Sequence, residues 1–151
     1  MKTLRMESPL GPLWLSEENG ALTRASLTPP PQPELEETPL LLAAKRQLEE
    51  YFAGARKEFS LPLAPVGTPF QKQCWQALCR IPYGETRTYG QQAAAVGRPK
   101  ASRAVGGANH HNELLIFIPC HRVVGADGSL TGFGGGLDKK RFLLDLEARY
   151  R

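Results

Sequence analysis

The pattern Thr-x-x-Gln occurs twice in this chain, as Thr68-Pro69-Phe70-Gln71 and as Thr88-Tyr89-Gly90-Gln91. In such a capping box the threonine hydroxyl accepts from the N–H three residues on, and the glutamine amide accepts from the threonine N–H. Two otherwise orphaned donors are satisfied each time, so two helix starts are placed twenty residues apart. Pro69 in the first turn strengthens the first. Phe70, Cys74, Ala77, Leu78 and Ile81 then recur at helical spacing, which makes one apolar face and places Cys74 in the core. The second box opens "YGQQAAAVG", Gly97-Arg98-Pro99 breaks it, and "KASRAVGGANHH" opens another helix. Two short helices about a glycine-containing turn form a helix-turn-helix pattern, although any two short helices can look so.

The second of these helices is nearly bare. Ala101, Ala104, Gly106, Gly107 and Ala108 leave Arg103 as its one long side chain, and paired glycines cost helix stability. Either another helix packs tightly there, or the surface approaches a nucleic-acid groove closely. Arg98, Lys100 and Arg103 would then supply positive charge for phosphates.

The first half reads differently. Asn19-Gly20 between two alternating runs is a hairpin signal, because both residues tolerate positive φ. "TPPPQPELEE" reads as an exposed loop, Thr38-Pro39 starts a helix that Gly54 stops, and "KEFSLPLAPVG" reads as a short strand and then a linker. The domain boundary is placed near residue 66. Residues 1–66 form an α/β support domain, a small antiparallel sheet plus a helix. Residues 67–151 form a mainly α domain with a winged helix-turn-helix.

Charge follows that division. Residues 1–66 hold 7 Lys+Arg and 9 Asp+Glu, a balance of −2, and residues 67–151 hold 12 and 6, a balance of +6. A basic half suits an acidic partner such as nucleic acid, and equally a solvated surface with a slight bias. No apolar run approaches the roughly 18 residues of a membrane span. The start "MKTLRMESPLG" lacks a signal-peptide apolar core, so the cytoplasm is the expected location. Three cysteines, Cys74, Cys79 and Cys120, argue against a disulfide framework, and their spacing to His110, His111 and His121 does not suit zinc.

The chemistry concentrates in "LLIFIPCHRVVGADG", residues 114–128. A greasy run, expected as a buried strand, delivers Cys120, His121 and Arg122 in a row, so that Cys120 is either a core residue with chance neighbours or a nucleophile. A free thiol ionises near pH 8.5, so a nucleophilic cysteine needs a base or a cation. His121 can be that base. Glu147, on the apolar side of the last helix with Leu143, Leu144 and Tyr150, can orient the histidine in a Cys–His–Glu relay. Neighbours on an extended strand point to opposite faces. Either Pro119 starts a turn, or a water bridges thiol and imidazole. The loop "GADGSLTGFGGG" has six glycines in twelve residues and reads as a flap, or as backbone that touches a ligand.

"IPCHRVV" resembles the active-site signature of the O6-alkylguanine-DNA alkyltransferases, also called methylated-DNA–protein-cysteine methyltransferases. "TPFQKQCWQALCRIPYGETRTYGQQAAAVGRPKASRAVGGAN" resembles that family's helical segment, and "GFGGGLDKKRFLLDLE" its closing loop and helix. The resemblance implies DNA repair by direct, stoichiometric, irreversible transfer of an alkyl group from O6-alkylguanine to Cys120, after the base is flipped from the duplex. His121 is then the water-mediated base and Glu147 its partner, with Asn112 bracing the turn before the active site. Tyr89 meets the flipped nucleotide and Arg103 fills the vacated stack from the minor groove. Arg98, Lys100, Ala104 and Gly106 complete the DNA surface. Val123, Phe133 and Gly134 join Tyr89 around the guanine, and Arg122 is a structural ion-pair residue. Glu113 stands where many members have proline, and Phe133 where some have tyrosine.

No cofactor, metal or membrane is expected. The partner implied is double-stranded DNA bearing the lesion, met by a monomer. A non-catalytic lesion sensor and a thiol hydrolase are the competing functions. Cys120 speaks against the first, and turnover separates the second. Whether O4-alkylthymine is also repaired is left open.

Overall fold

The structure is a computed structural model that describes residues 1–133 and 136–151. Gly134, expected at the guanine pocket, lies outside the described residues. The chain divides into two compact units, Met1–Val66 with Glu113–Phe117, and Gly67–Asn112 with Ile118–Arg151.

In the first unit β1 (Lys2–Met6), β2 (Leu13–Glu18) and β3 (Ala21–Ser26) form an antiparallel meander, with Leu4 opposite Leu15 and Glu18 opposite Ala21. Asn19 and Gly20 close the hairpin with φ of 54° and 80°, as their residue types predict. Helix α1 (Pro39–Phe52) covers the sheet, burying Leu41, Ala44, Leu48 and Tyr51 at spacings of three and four. Its N-cap is Thr38, whose hydroxyl accepts from Leu41 N at 3.1 Å, and Gly54 follows its end with φ 79°.

Three expectations need correction here. The proline-rich segment is not wholly loop, because β4 (Glu34–Leu35) pairs parallel with β1 at the sheet edge. An edge needs only half of a strand's hydrogen bonds, so two residues between prolines suffice. "KEFSLPLAPVG" forms no regular strand and contributes one bridge, Leu63 to Leu22. Leu114–Ile118 is not a strand either. Leu114 bridges Ala25, Leu115 N donates to Ala25 O at 3.1 Å, and Ile116 then turns the chain at φ 73°. Apolar composition reported the burial of these residues and not their backbone, since all five are buried without a ladder.

In the second unit α2 (Pro69–Cys79), α3 (Tyr89–Ala95) and α4 (Ser102–His110) pack about Cys74, Ala93, Val105 and Ala108, with Phe70 and Val96 against them. Both capping boxes are fully formed, with bonds of 2.9–3.1 Å. Ile81 lies beyond the end of α2 and is still buried, and Trp75 joins that apolar face. Gly97, at φ 77°, makes the turn between α3 and α4. The sheet flanking this helix pair is a two-residue parallel pairing of β5 (Arg87–Thr88) with β6 (Val123–Val124). Helix α5 (Leu137–Arg149) closes the chain.

Candidate active site

Cys120 begins a three-residue 3-10 helix, Cys120–Arg122, entered through Pro119 and closed by Arg122 N donating to Pro119 O at 3.0 Å. Of the two geometries left open by the sequence, the proline turn is therefore present. Successive side chains on a 3-10 turn diverge by about 120° rather than alternating. Cys120, His121 and Arg122 leave one short segment in three directions, all buried.

His121 is fully buried, and its Nε2–H donates to Glu147 Oε2 at 2.6 Å. A carboxylate only accepts, so the proton sits on Nε2 and the neutral ring keeps Nδ1 as an acceptor. Among the described residues that Nδ1 is buried with no hydrogen-bond partner. Arg122 lies on the other side of the carboxylate. Its Nε donates to Glu147 Oε1 at 2.8 Å, its Nη2 to Oε2 at 3.1 Å, and its Nη1 to Ile81 O at 2.7 Å. Gly84 N adds a bond to Oε1 at 3.1 Å. Arg122 is thus an ion-pair residue, as its sequence context suggested.

Burial would lift Glu147, but its hydrogen bond with His121, and the hydrogen bonds and charge of Arg122, outweigh it and hold the carboxyl down at about 2. Burial dominates His121 and pushes its pKa down against the pull of Glu147, so the resting imidazole is neutral. Burial likewise raises the Cys120 thiol, opposed by a hydrogen bond with Asn112 and by the charge of Lys140. Asn112 Nδ2 also donates to Ile118 O at 2.9 Å, bracing the turn into Cys120.

Lys140 was missed by the sequence reading. It is fully buried on α5, and its ammonium donates to Val123 O at 2.6 Å and Thr131 O at 2.7 Å. A signal existed, because Lys140, Leu143 and Glu147 stand at i, i+3 and i+7 on one helical face. Val123 is buried in β6, and Phe133 is half-buried in the glycine-rich loop. Among the described residues no cluster of three His, Cys, Asp or Glu could hold a metal ion, and Cys74 is a buried core residue.

The buried His121–Glu147–Arg122 cluster next to Cys120 in the chain does not by itself name a substrate, and comparison with known proteins supplies the family. Residues 69–149 match the model of the 6-O-methylguanine DNA methyltransferase DNA-binding domain, and residues 1–65 that of the 6-O-methylguanine DNA methyltransferase ribonuclease-like domain. The chain belongs to this methyltransferase family. It is similar to the constitutive methylated-DNA–protein-cysteine methyltransferase of Bacillus subtilis, at 54% identity over 93% of this chain and 92% of that protein. A second relative so named, from Methanosarcina acetivorans, is 51% identical over 93% of this chain and 94% of its own length. A crystal structure of Mycobacterium tuberculosis OGT in complex with DNA superposes with a TM-score of 0.92 at 45% identity, covering 99% of this chain and 94% of that one.

The residues that the family resemblance assigns to DNA are on and around the α3–α4 pair. Arg103, Ala104 and Gly107 lie on the exposed side of α4, while Val105, Ala108 and Asn109 face inward. Gly106 lies beside Tyr89, where an added Cβ would sit 3.6 Å from the ring. At Gly107 an added Cβ would meet nothing within 4 Å, so packing among the described residues does not require that glycine. Lys100 is exposed, and Arg98 is exposed with its guanidinium 5.2 Å from the Phe70 ring centroid. The Tyr89 hydroxyl donates to Thr131 O at 2.9 Å, the same carbonyl that Lys140 holds. Among the described residues no helix is long and apolar enough to cross a membrane.

Proposed function

We propose that this protein repairs DNA by taking the alkyl group of O6-alkylguanine onto Cys120, once and irreversibly. The observation that carries the reading is the buried Cys120 and His121 with Glu147 behind the histidine, whose Nδ1 has no partner among the described residues. The thiol proton passes through one water to His121 Nδ1. The charge created on the ring is met by Glu147, which the Arg122 guanidinium keeps ionised. The thiolate attacks the O6-alkyl carbon. A sulfur–carbon bond forms, the carbon–oxygen bond breaks, and the electron pair stays on O6 of a guanine that takes up a proton. Asn112 holds the turn in place.

Burial keeps Cys120 protonated at rest, so ionisation and alkyl transfer are coupled to the arrival of substrate. An extrahelical base is needed because an atom inside the stack cannot reach a buried thiol. Arg103 occupies the gap left by that base, and Tyr89 meets the flipped nucleotide. Ala104 and Gly106 let the DNA backbone approach, and Arg98 and Lys100 contact phosphates. Backbone at Val123 and the loop carrying Phe133 and Gly134 hold the guanine edge. Residues 67–151 carry DNA binding and transfer, residues 1–66 support them, and the protein works as a cytoplasmic monomer.

Intact mass after mixing with duplex DNA containing O6-methylguanine tests this reading. One methyl group per chain is expected, mapping to Cys120, and Cys120→Ser should bind DNA and gain no mass. Methylation of Cys74 or Cys79 would refute the assignment, and repeated turnover would point to a hydrolase.

A further inference from the structure

We propose that the buried amide pair Gln92–Asn109 is a positioning device that fixes the register of α4 against α3, and thereby how Arg103 on α4 is presented to duplex DNA. The proposal rests on the reading of α3–α4 as the DNA-contacting element.

Gln92 on α3 and Asn109 on α4 are both buried in the helical core beside Ala93 and Ala108. Gln92 Nε2 donates to Asn109 Oδ1 at 2.9 Å, and Asn109 Nδ2 returns a bond to Gln92 Oε1 at 2.7 Å. The second N–H of Gln92 reaches Cys74 O on α2 at 3.1 Å. Both donors and the acceptor of the glutamine amide are thus used, and three helices are tied at one point.

The rest of the α3–α4 contact explains why directional bonds are needed. Helices lock in rotation and axial position when bulky side chains of one fill grooves of the other. Here the inward residues of α4 are Val105, Ala108 and Asn109, those of α3 are Gln92 and Ala93, and Gly106 lies beside the Tyr89 ring. Alanine and glycine make shallow ridges, so packing alone resists sliding weakly. A reciprocal amide pair exists in one register only, since a shift of one residue breaks both bonds. Trp75 Nε1 donates to Ala108 O at 2.9 Å and anchors the same end of α4 to α2. Arg103 lies six residues before Asn109, so it hangs from the helix that this pair aligns against α3.

A satisfied buried polar pair adds little net stability, and replacing both partners by apolar side chains of similar shape is close to neutral. Where such pairs have a use, it is in specifying one arrangement among several. Stability and DNA-dependent transfer should therefore separate on mutation. The test compares Gln92→Met, Asn109→Leu, the double variant, and the exchanged pair Gln92→Asn/Asn109→Gln. Each is measured for melting temperature and for single-turnover rate on O6-methylguanine duplex and on the free base O6-benzylguanine.

Each single variant should melt about 3–6 °C lower, because one amide is left unsatisfied. The double variant should recover most of that loss. Its duplex rate should still be lower by about tenfold, on the order of 1.4 kcal/mol of lost positioning, with the free-base rate within about twofold of the parent. The exchanged pair, which restores an amide–amide link, should bring the duplex rate back to within about threefold of the parent.

A stable double variant with the parent's duplex rate would overturn the proposal. So would equal losses on duplex and free base, which are the mark of a purely structural role. If the apolar pair does not fold, the exchanged pair decides, and a folded exchange that leaves the duplex rate low would also overturn it. Absence of transfer by the parent would refute the repair reading itself and this proposal with it.

Discussion

Around Glu147 four N–H donors from Gly84, His121 and Arg122 converge on one buried carboxylate, whereas α4 turns Arg103, Ala104 and Gly107 to solvent. The first region spends every hydrogen-bonding site of its central group inside the protein. The second is left bare, and no packing among the described residues requires glycine at Gly107. A buried charge must be paired and hydrogen-bonded to persist, so the Glu147 cluster tolerates substitution poorly. A surface meant to receive a large partner has to stay small and uncommitted. The same residue type can therefore be structural in one region and exposed in the other, as with Arg122 and Arg103.

The largest effect is expected at Glu147. Glu147→Gln is expected to slow transfer by about 10²–10⁴-fold, the usual range for a lost general-base system. It should also destabilise the fold by about 3–5 kcal/mol, because Arg122 is left buried without its counter-charge. Single-turnover kinetics and denaturant unfolding check the two effects. A folded variant with unchanged rate would reduce Glu147 to an ion-pair residue.

Acid should act on the same cluster and leave α4 alone. His121 has a depressed pKa through burial, so the unfolded chain takes up its proton first, and stability should begin to fall as pH drops below about 6.5. The ionised Glu147 contributes stability that is fully present above its unfolded value of about 4.3, and lost as pH falls toward about 2. Unfolding midpoints measured from pH 7 to pH 3 should trace this decline, and the lower part of it should flatten in Glu147→Gln. A profile level down to pH 4 would contradict the buried-neutral histidine.

On the open side, Arg103→Ala should cost about tenfold in transfer from duplex DNA and little with O6-benzylguanine, since only the duplex requires flipping. Loss of a phosphate contact would instead lower the salt slope of binding by about one unit. Equal losses on both substrates would place Arg103 in support of the pocket.

The smallest effect expected is at Gly107. Gly107→Ala should stabilise the free protein by up to about 1 kcal/mol, because α4 gains helix propensity and none of the described residues is within 4 Å of the new methyl group. It should weaken duplex binding if DNA approaches the backbone there. Stabilisation without any loss of binding would show that the bare surface extends further than the partner needs.

Legibility in the sequence followed the range of the interaction. Thr38, Thr68 and Thr88 announced their helices, because a cap is written within four residues. Asn19-Gly20 announced its hairpin for the same reason. The Cys-His-Arg triplet left Cys120 open between a core residue and a nucleophile until the family resemblance favoured the second, and Glu147 stood out as a carboxylate on an apolar face. Lys140 was legible on that face and overlooked. The segment Leu114–Ile118 misled, because five apolar residues report burial whether or not a ladder forms.

What the sequence determined alone was therefore the capped helix starts, the Asn19-Gly20 hairpin and the reactive residue types, since capping and turn conformation depend on neighbours along the chain. Tertiary structure decided which long-range partners complete them. Glu147 meets His121 and Arg122 across 26 and 25 residues, and Gln92 meets Asn109 across 17. A lone glutamine or arginine carries no mark of its partner until folding removes water and leaves that one donor or acceptor to satisfy it.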